Sequence, residues 1–194
     1  MAGFPIAANV GQLMQIPLST RSPRASSGFV MFSPLRLKCA LGRTGVSVAK
    51  FEGDGATPTG RFRLLRVYYR PDRLSRPKTQ IPIFALRSTD GWCDASGDRN
   101  YNRHVRLPYP ASHERLWRAD SLYDIIIVID YNITQRIQMR GSAIFIHVAR
   151  AGYKPTLGCI ALSRPDLLKL IALCNSGTEI EIGPVSQRGR RGLR

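Results

Sequence analysis

The chain has 194 residues, and its 29 lysine and arginine residues against 13 aspartate and glutamate residues give a formal net charge of +16. Hydrophobic residues make up 43% of the sequence, which excludes wholesale disorder, and the length fits one domain with a modest extension. Glycine and proline occur without a period, which excludes collagen-like repeats. The charge leaves nucleic acid, an anionic membrane surface or another anionic polymer as candidate partners.

The two ends of the chain differ from the middle. Residues 1–29 contain Arg21 and Arg24 but no acid, and residues 1–20 lack both the basic start and the continuous apolar core of a secretory signal. We therefore expect a disordered or atypical leader over residues 1–29. Residues 185–194 carry four arginines among glycines, which predicts a basic disordered tail. No apolar stretch is long enough to predict a membrane span.

Strand patterns dominate the domain expected over residues 30–184. Two segments, 124–130 and 143–149, are continuous runs rich in β-branched residues, as is typical of strands buried on both faces. Segments 28–41, 61–69 and 178–182 also have strand character. Because these segments outnumber the helical ones, the sequence predicts a mainly β fold with one or two packed helices.

One helix is well indicated. Ser163 suits the N-cap, Pro165 and Asp166 suit the first turn, and the apolar spacing continues until Gly177 stops it. A second, weaker helix is expected over residues 112–119. It falls in the long segment 92–123, which is rich in polar and aromatic residues and predicts a folded insertion over one face.

The cysteines and histidines do not form a metal pattern. The four cysteines include no C-x-x-C pair, and the three histidines are not spaced for zinc, so we expect neither a metal nor a cofactor. Cys39, Cys93 and Cys174 lack a flanking glycine and a nearby histidine, which favours structural roles. Whether any of the cysteines pair stays open.

His147 and Cys159 are the candidate catalytic pair. His147 lies in an apolar run, and Cys159 follows twelve residues later, after a loop that contains glycine and proline. A nucleophilic cysteine needs a base within reach and room for the substrate, which Gly158 leaves beside the sulfur. The alternative is a buried structural cysteine and a structural histidine.

Two motifs make a family resemblance specific. Residues 53–62, Gly-Asp-Gly-Ala-Thr-Pro-Thr-Gly-Arg-Phe, resemble the DG-x-TP-x-G-x-F turn of the L,D-transpeptidase catalytic domain. His147, followed by Thr156-Leu157-Gly158-Cys159, resembles the family's active-site signature of a histidine and a later Ser/Thr-x-Gly-Cys. The resemblance covers about residues 30–184 and implies a β-sandwich or barrel.

The resemblance also implies a function. A cysteine of such an enzyme attacks the third residue of a bacterial peptidoglycan stem, usually meso-diaminopimelate, and expels the terminal D-alanine. The acyl group then passes to an amine, which gives a 3→3 cross-link. By position, Cys159 would be the nucleophile and His147 its base and later acid, while Gly158 and the Cys159 N–H would belong to the oxyanion site. Thr156 matches the Ser/Thr position, stem peptides would be the partners, and the periplasm or cell envelope would be the location.

Two departures point to a divergent branch of the family. Leu157 stands where many members have a histidine, and Ala161 replaces a polar Asn or Arg. In such a branch Tyr101, Asn102 and Arg103 would line the cleft and hold a stem carboxylate, with a plain surface loop as the alternative.

Two other functions stay open. Hydrolysis of the same acyl-enzyme would make the chain an L,D-carboxypeptidase. A basic nucleic-acid-binding protein is the other alternative, although the sequence has neither a recognition-helix pattern nor an aromatic-basic RNA-binding motif.

Overall fold

The structure is a computed structural model that describes residues 13–17 (backbone course only) and 24–183, and strands are the main regular secondary structure there. One α-helix, α1 (Arg164–Leu173), and a 3-10 turn, Ala151–Tyr153, accompany them there. The strands are β1 (Leu13–Pro17), β2 (Ser27–Phe32), β3 (Leu35–Ala40), β4 (Val46–Ser47), β5 (Thr57–Pro58), β6 (Gly60–Tyr69), β7 (Ile83–Ala85), β8 (Asp90–Cys93), β9 (Arg103–Arg106), β10 (His113–Arg115), β11 (Ile125–Ile129), β12 (Phe145–Val148), β13 (Ile160–Leu162) and β14 (Glu179–Gly183). The predicted mainly β class is confirmed.

The main sheet closes on itself. Nine strands follow the order β11-β12-β13-β3-β2-β1-β14-β6-β7, and β6 also pairs with β11. The first part of the ten-residue β6 pairs with β14 and its later part pairs with β11. Eight strands therefore form a closed barrel with β7 alongside β6, and closure removes open edges from most of the sheet.

The strand β11 separates two apolar cores. All five of its residues are buried, which confirms the prediction for segment 124–130. Its odd-numbered isoleucines belong to a first cluster that includes the buried face of α1. Its even-numbered residues, Ile126 and Val128, belong to a second cluster with Phe145 and Cys159. Because side chains alternate along a strand, the sheet has one core on each face.

The helix α1 forms as its sequence predicts. The Ser163 side chain caps it by accepting a hydrogen bond from the Asp166 N–H at 3.2 Å. A proline lies in the first turn, and Leu167, Leu170 and Ile171 are buried against the first cluster. Capping and one apolar stripe are both local properties of the sequence, which is why this prediction is confirmed.

The segment 92–123 is folded and covers the second cluster. It contributes most of a three-stranded sheet in the order β10-β8-β9, and Trp92 packs edge-on against Phe145 with ring centroids 5.0 Å apart. The helix predicted over residues 112–119 is wrong, because His113–Arg115 is the strand β10. Pairing with β8 supplies β10 with backbone partners from distant residues, and such tertiary pairing overrides local helical spacing.

The start of the chain also differs from expectation. Inside the segment predicted as a leader, Leu13–Pro17 forms β1, which is parallel to β14 and antiparallel to β2. This strand fills the position between β2 and β14, whose backbone groups there would otherwise lack partners. Residues 24–26 are described as well and lead into β2, whose first three residues also lie in the predicted leader. The rest of the predicted leader, 1–12 and 18–23, and the predicted tail, 185–194, lie outside the described residues.

Shortening Ile127 tests the role of β11 in the core. Ile127 is fully buried, so Ile127→Ala should lower the free energy of unfolding by about 2–5 kcal/mol through lost burial and an unfilled cavity. Val48→Ala, at a side chain that is 91% exposed, is the control and should change it by less than about 0.5 kcal/mol. Urea unfolding measures both variants. Equal effects would contradict the assigned core.

Candidate active site

Two neighbouring parallel strands bring His147 and Cys159 to the same face of the sheet. His147 of β12 is paired with Ala161 of β13, and Cys159 lies two residues before Ala161. Residues two apart in an extended chain share a face. Both side chains line one cavity of about 580 Å³ between the sheet and the segment 92–123. The structure therefore unites the two residues that the signature predicted.

The imidazole of His147 is held as a neutral base. Its Nδ1 lies 2.9 Å from the Val148 carbonyl oxygen, and a carbonyl only accepts, so Nδ1 carries the proton. The lone pair is consequently on Nε2. Burial, with smaller effects from Arg118 and Arg150, lowers the pKa of His147 to about 4. The imidazole is thus uncharged at neutral pH, with no proton on Nε2.

The sulfur of Cys159 rests as a thiol. It donates to the Ala143 carbonyl oxygen at 3.2 Å and accepts from the Phe145 N–H at 3.4 Å. Burial raises the pKa of Cys159 to about 12, and the nearby Glu114 charge adds to this effect. A thiol with so high a pKa becomes a nucleophile only when a base removes its proton during attack.

The turn before Cys159 has little freedom. The Thr156 hydroxyl donates to the Cys159 carbonyl at 2.7 Å and accepts from the Gly158 N–H at 3.1 Å. Gly158 has a φ of +134°, and a Cβ there would lie 2.8 Å from the Ala56 carbonyl oxygen. Thr156 and Gly158 therefore shape the turn that presents the sulfur, and the Gly158 N–H predicted for the oxyanion is already bonded within that turn.

The structure does not place Tyr101, Asn102 or Arg103 in the lining of this cavity. Tyr101 is buried and its phenol hydroxyl donates to the Glu52 carboxylate, whereas Arg103 is exposed on β9. Asn102 is 1% exposed, and its amide nitrogen donates to two backbone carbonyls of the loop after β11. Hydrogen bonds within the protein therefore account for the polar groups of Tyr101 and Asn102, and the structure does not bring these three predicted residues into the cavity.

Asn102 contacts the peptide that holds the Cys159 thiol. Its amide oxygen accepts from the Trp92 indole at 2.9 Å and from the Ala143 N–H at 3.0 Å. Ala143 has a φ of +52°, which is uncommon for a residue with a Cβ, and its carbonyl is the acceptor of the Cys159 thiol. Asn102 thereby links the segment 92–123 to the peptide that orients the sulfur.

The wall opposite the sheet was missed by sequence reasoning. Tyr123 contacts His147 edge to face with ring centroids 5.3 Å apart, and its hydroxyl donates to Glu114 at 2.6 Å. The Arg118 guanidinium lies 5.3 Å from the Tyr123 ring centroid, and Asp94 completes this wall. Burial raises the pKa of Glu114. The aromatic and charged composition of the segment was the one available signal, because none of these residues belongs to a motif.

The remaining charges of the cavity are mostly basic. Lys50 lies in the wall, 2.7 Å from Asp54. Arg43, Arg150 and Lys154 are exposed at its edge. Anionic groups of a ligand would meet these side chains before they reach the sulfur.

The described residues offer neither a metal site nor a disulfide. No group of His, Cys, Asp and Glu in residues 24–183 is arranged to hold a metal ion. All four cysteines are free and buried. The helix that the structure describes is too short and too polar to cross a membrane.

Comparisons with known proteins agree with the motifs. A family model, YkuD, described as the L,D-transpeptidase catalytic domain, matches residues 32–182. Among solved structures, an L,D-transpeptidase from Mycobacterium smegmatis is 14% identical, with a TM-score of 0.37 over 89% of this chain and 58% of its own. The chain thus spans less than two thirds of that protein, and no curated protein matches it. Because the family match covers most of the sequence and includes both motifs, the chain belongs to the L,D-transpeptidase catalytic-domain family.

Proposed function

We propose that this chain is a cysteine acyltransferase that acts on peptidoglycan stem peptides. The observation that carries the proposal is one cavity lined by the neutral imidazole of His147 on β12 and the thiol of Cys159, the residue immediately before the neighbouring strand β13. Membership of the family supports the substrate class. Residues 30–184 would form the catalytic unit, and the cell envelope, where such a substrate occurs, would be its location.

Acylation would begin at Cys159. Nε2 of His147 takes the thiol proton as Sγ attacks the carbonyl carbon of the third stem residue, which gives a tetrahedral oxyanion. The backbone N–H of Cys159 would donate to that oxygen, while Thr156 and Gly158 hold the turn. Collapse breaks the C–N bond, and His147 returns the proton to the departing amine of D-alanine. A thioester remains on Cys159.

The second half of the reaction would restore the enzyme. An acceptor amine attacks the thioester carbonyl, His147 takes a proton from that amine, and the C–S bond breaks. Sγ recovers its proton and the product carries a 3→3 cross-link. If water replaces the amine, the same steps release a tripeptide stem, which is the L,D-carboxypeptidase outcome.

The basic residues at the cavity edge would attract the polymer. Peptidoglycan stems carry free carboxylates, and Arg43, Arg150 and Lys154 are exposed where a stem would enter. Long-range attraction of this kind raises the association rate and weakens with ionic strength. We assign the excess positive charge to substrate attraction on this ground.

Product analysis tests the proposed function. Purified protein is incubated with disaccharide-tetrapeptide, and the products are weighed by mass spectrometry. Cross-linked dimers are the expected result, because the acyl group passes to an amine. Tripeptide monomers without dimers would contradict the transferase assignment and support the L,D-carboxypeptidase. Unchanged substrate would contradict both assignments.

Removing the sulfur tests the assignment of the nucleophile. Cys159→Ala should abolish acylation by a carbapenem while the fold is retained, because none of the other three cysteines lines the cavity. Intact-protein mass spectrometry measures the adduct, and circular dichroism checks the fold. Cys174→Ala is the control, since that cysteine is buried against α1 in the other core and should leave the adduct unchanged. Acylation of the Cys159 variant at the wild-type rate would contradict the assignment.

The pH dependence of acylation tests the state of His147. Because burial lowers the pKa of His147 to about 4, its Nε2 stays free of a proton at pH values well below 7. The rate of carbapenem acylation should therefore be nearly the same at about pH 5.5 and pH 7.5. A histidine with an ordinary pKa near 6.5 would lose about tenfold over that interval. Such a loss, measured by adduct formation over time, would contradict the buried neutral base.

A further inference from the structure

Lys50 is a buried cation in the wall of the catalytic cavity, and the steps above do not use it. Its side chain is 4% exposed, and its ammonium lies 2.7 Å from an Asp54 carboxylate that is 8% exposed. Removing two charges from water costs about as much free energy as their attraction returns, so a buried ion pair is weak evidence for a stabilising role. The position of this pair points instead to chemistry.

Two glycines make room for the Lys50 side chain. A Cβ on Gly141 would lie 2.8 Å from the Lys50 Cε, and a Cβ on Gly158 would lie 3.4 Å from the Lys50 Nζ. The aliphatic chain therefore passes Gly141, and the ammonium ends beside Gly158, the residue immediately before Cys159. Lys50 is thus a cation placed next to the turn that presents the nucleophile.

Asp54 fixes the place of that ammonium. Besides Lys50, its carboxylate accepts from the Ala56 N–H at 2.8 Å and from the Phe51 N–H at 2.9 Å. The Ala56 carbonyl in turn packs against Gly158. Asp54 and Ala56 belong to the DG-x-TP turn, which therefore connects Lys50 to the turn that precedes Cys159.

Few groups around the Cys159 sulfur would stabilise a negative charge there. Burial raises the pKa of the Cys159 thiol, the Glu114 charge raises it further, and the Lys50 charge acts in the opposite direction. The Gly158 N–H is bonded to Thr156, and Leu157 offers no polar group. Asp54 is the one partner that the described residues give the Lys50 ammonium, which has three N–H donors.

We propose that the Lys50 ammonium stabilises the negative charge that forms at the reacting centre, first on the Cys159 sulfur and then on the tetrahedral oxygen. No bond to Lys50 forms or breaks, because its contribution is a fixed charge in a poorly solvated site. This inference rests on Cys159 as the nucleophile but not on the identity of the peptide substrate.

Alkylation of Cys159 by iodoacetamide separates this role from a structural one. Below the thiol's pKa, the rate at fixed pH is proportional to the thiolate fraction, so a tenfold slower rate reports a rise of about one pKa unit. The rate is followed on the peptide that contains Cys159 by mass spectrometry. The variants are Lys50→Met, Lys50→Arg and Asp54→Asn, with Lys169→Met on the exposed side of α1 as the charge-matched control.

A fixed charge predicts effects of opposite sign on the two sides of the ion pair. Lys50→Met should slow alkylation about tenfold, because a nearby opposite charge shifts a pKa by about one unit or more. Lys50→Arg should keep most of the rate. Asp54→Asn should keep or raise the rate, since the opposing negative charge is removed while the asparagine amide oxygen can still accept from the ammonium and hold it in place. Lys169→Met should have no effect.

A structural brace predicts a different pattern. Lys50→Met at the wild-type rate, or equal slowing in Lys50→Met and Asp54→Asn, would overturn the proposal. If Lys50→Met does not fold, as judged by circular dichroism, Asp54→Asn decides, and slower alkylation there would overturn it. Iodoacetamide needs no peptidoglycan, so the predicted alkylation pattern in a protein that leaves stem peptides unchanged would reject the proposed function and keep this inference.

Discussion

The parallel pairing of β12 with β13 is the constraint on which the rest of the site depends. Its register places Ala161 beside His147 and therefore sets Cys159 on the same face of the sheet. A slip of one residue would turn the sulfur toward the first core, because side chains alternate between faces. The outer neighbours, β11 beside β12 and β3 beside β13, hold the register within the closed barrel. The barrel thus acts as a rigid support for two side chains.

Burial of the pair has a chemical consequence. The segment 92–123 covers the site with Trp92 and Tyr123, and in that environment the charged forms of both side chains are disfavoured. The resting pair is therefore a thiol and a neutral imidazole, and in the proposed mechanism ions form only during the reaction. Fixed charges and backbone donors are effective under these conditions, because poorly solvated sites weaken screening. This is the physical basis of the role proposed for Lys50 beside Cys159.

The features that could be predicted from the sequence are those with a local cause. The β-branched run 124–130 and the capped helix after Ser163 carry their structure in a few adjacent residues, and His147 and Cys159 are close in sequence and joined by a short loop. The strands β1 and β10 could not be predicted in this way, because each depends on a distant partner strand. Local spacing favoured a helix where β10 forms.

The same distinction holds within the site. Lys50 lies about a hundred residues before Cys159 in the chain, and only the packing of its side chain along two glycines brings them together. Glu114 and Tyr123 reach the cavity through the segment 92–123, whose path no motif indicates. Asn102 lies in the segment that the sequence indicates, but its amide is used within the protein and does not line the cavity.

The most direct test of the account is to locate the acyl group during turnover of a natural donor. Protein mixed with a stem tetrapeptide is quenched in acid, digested and mapped by mass spectrometry. The account predicts a tripeptide acyl adduct on the peptide that contains Cys159, with an amount of D-alanine equal to the sum of that adduct and the acyl products already released. An adduct on another residue, or D-alanine released without a thioester at Cys159, would contradict it.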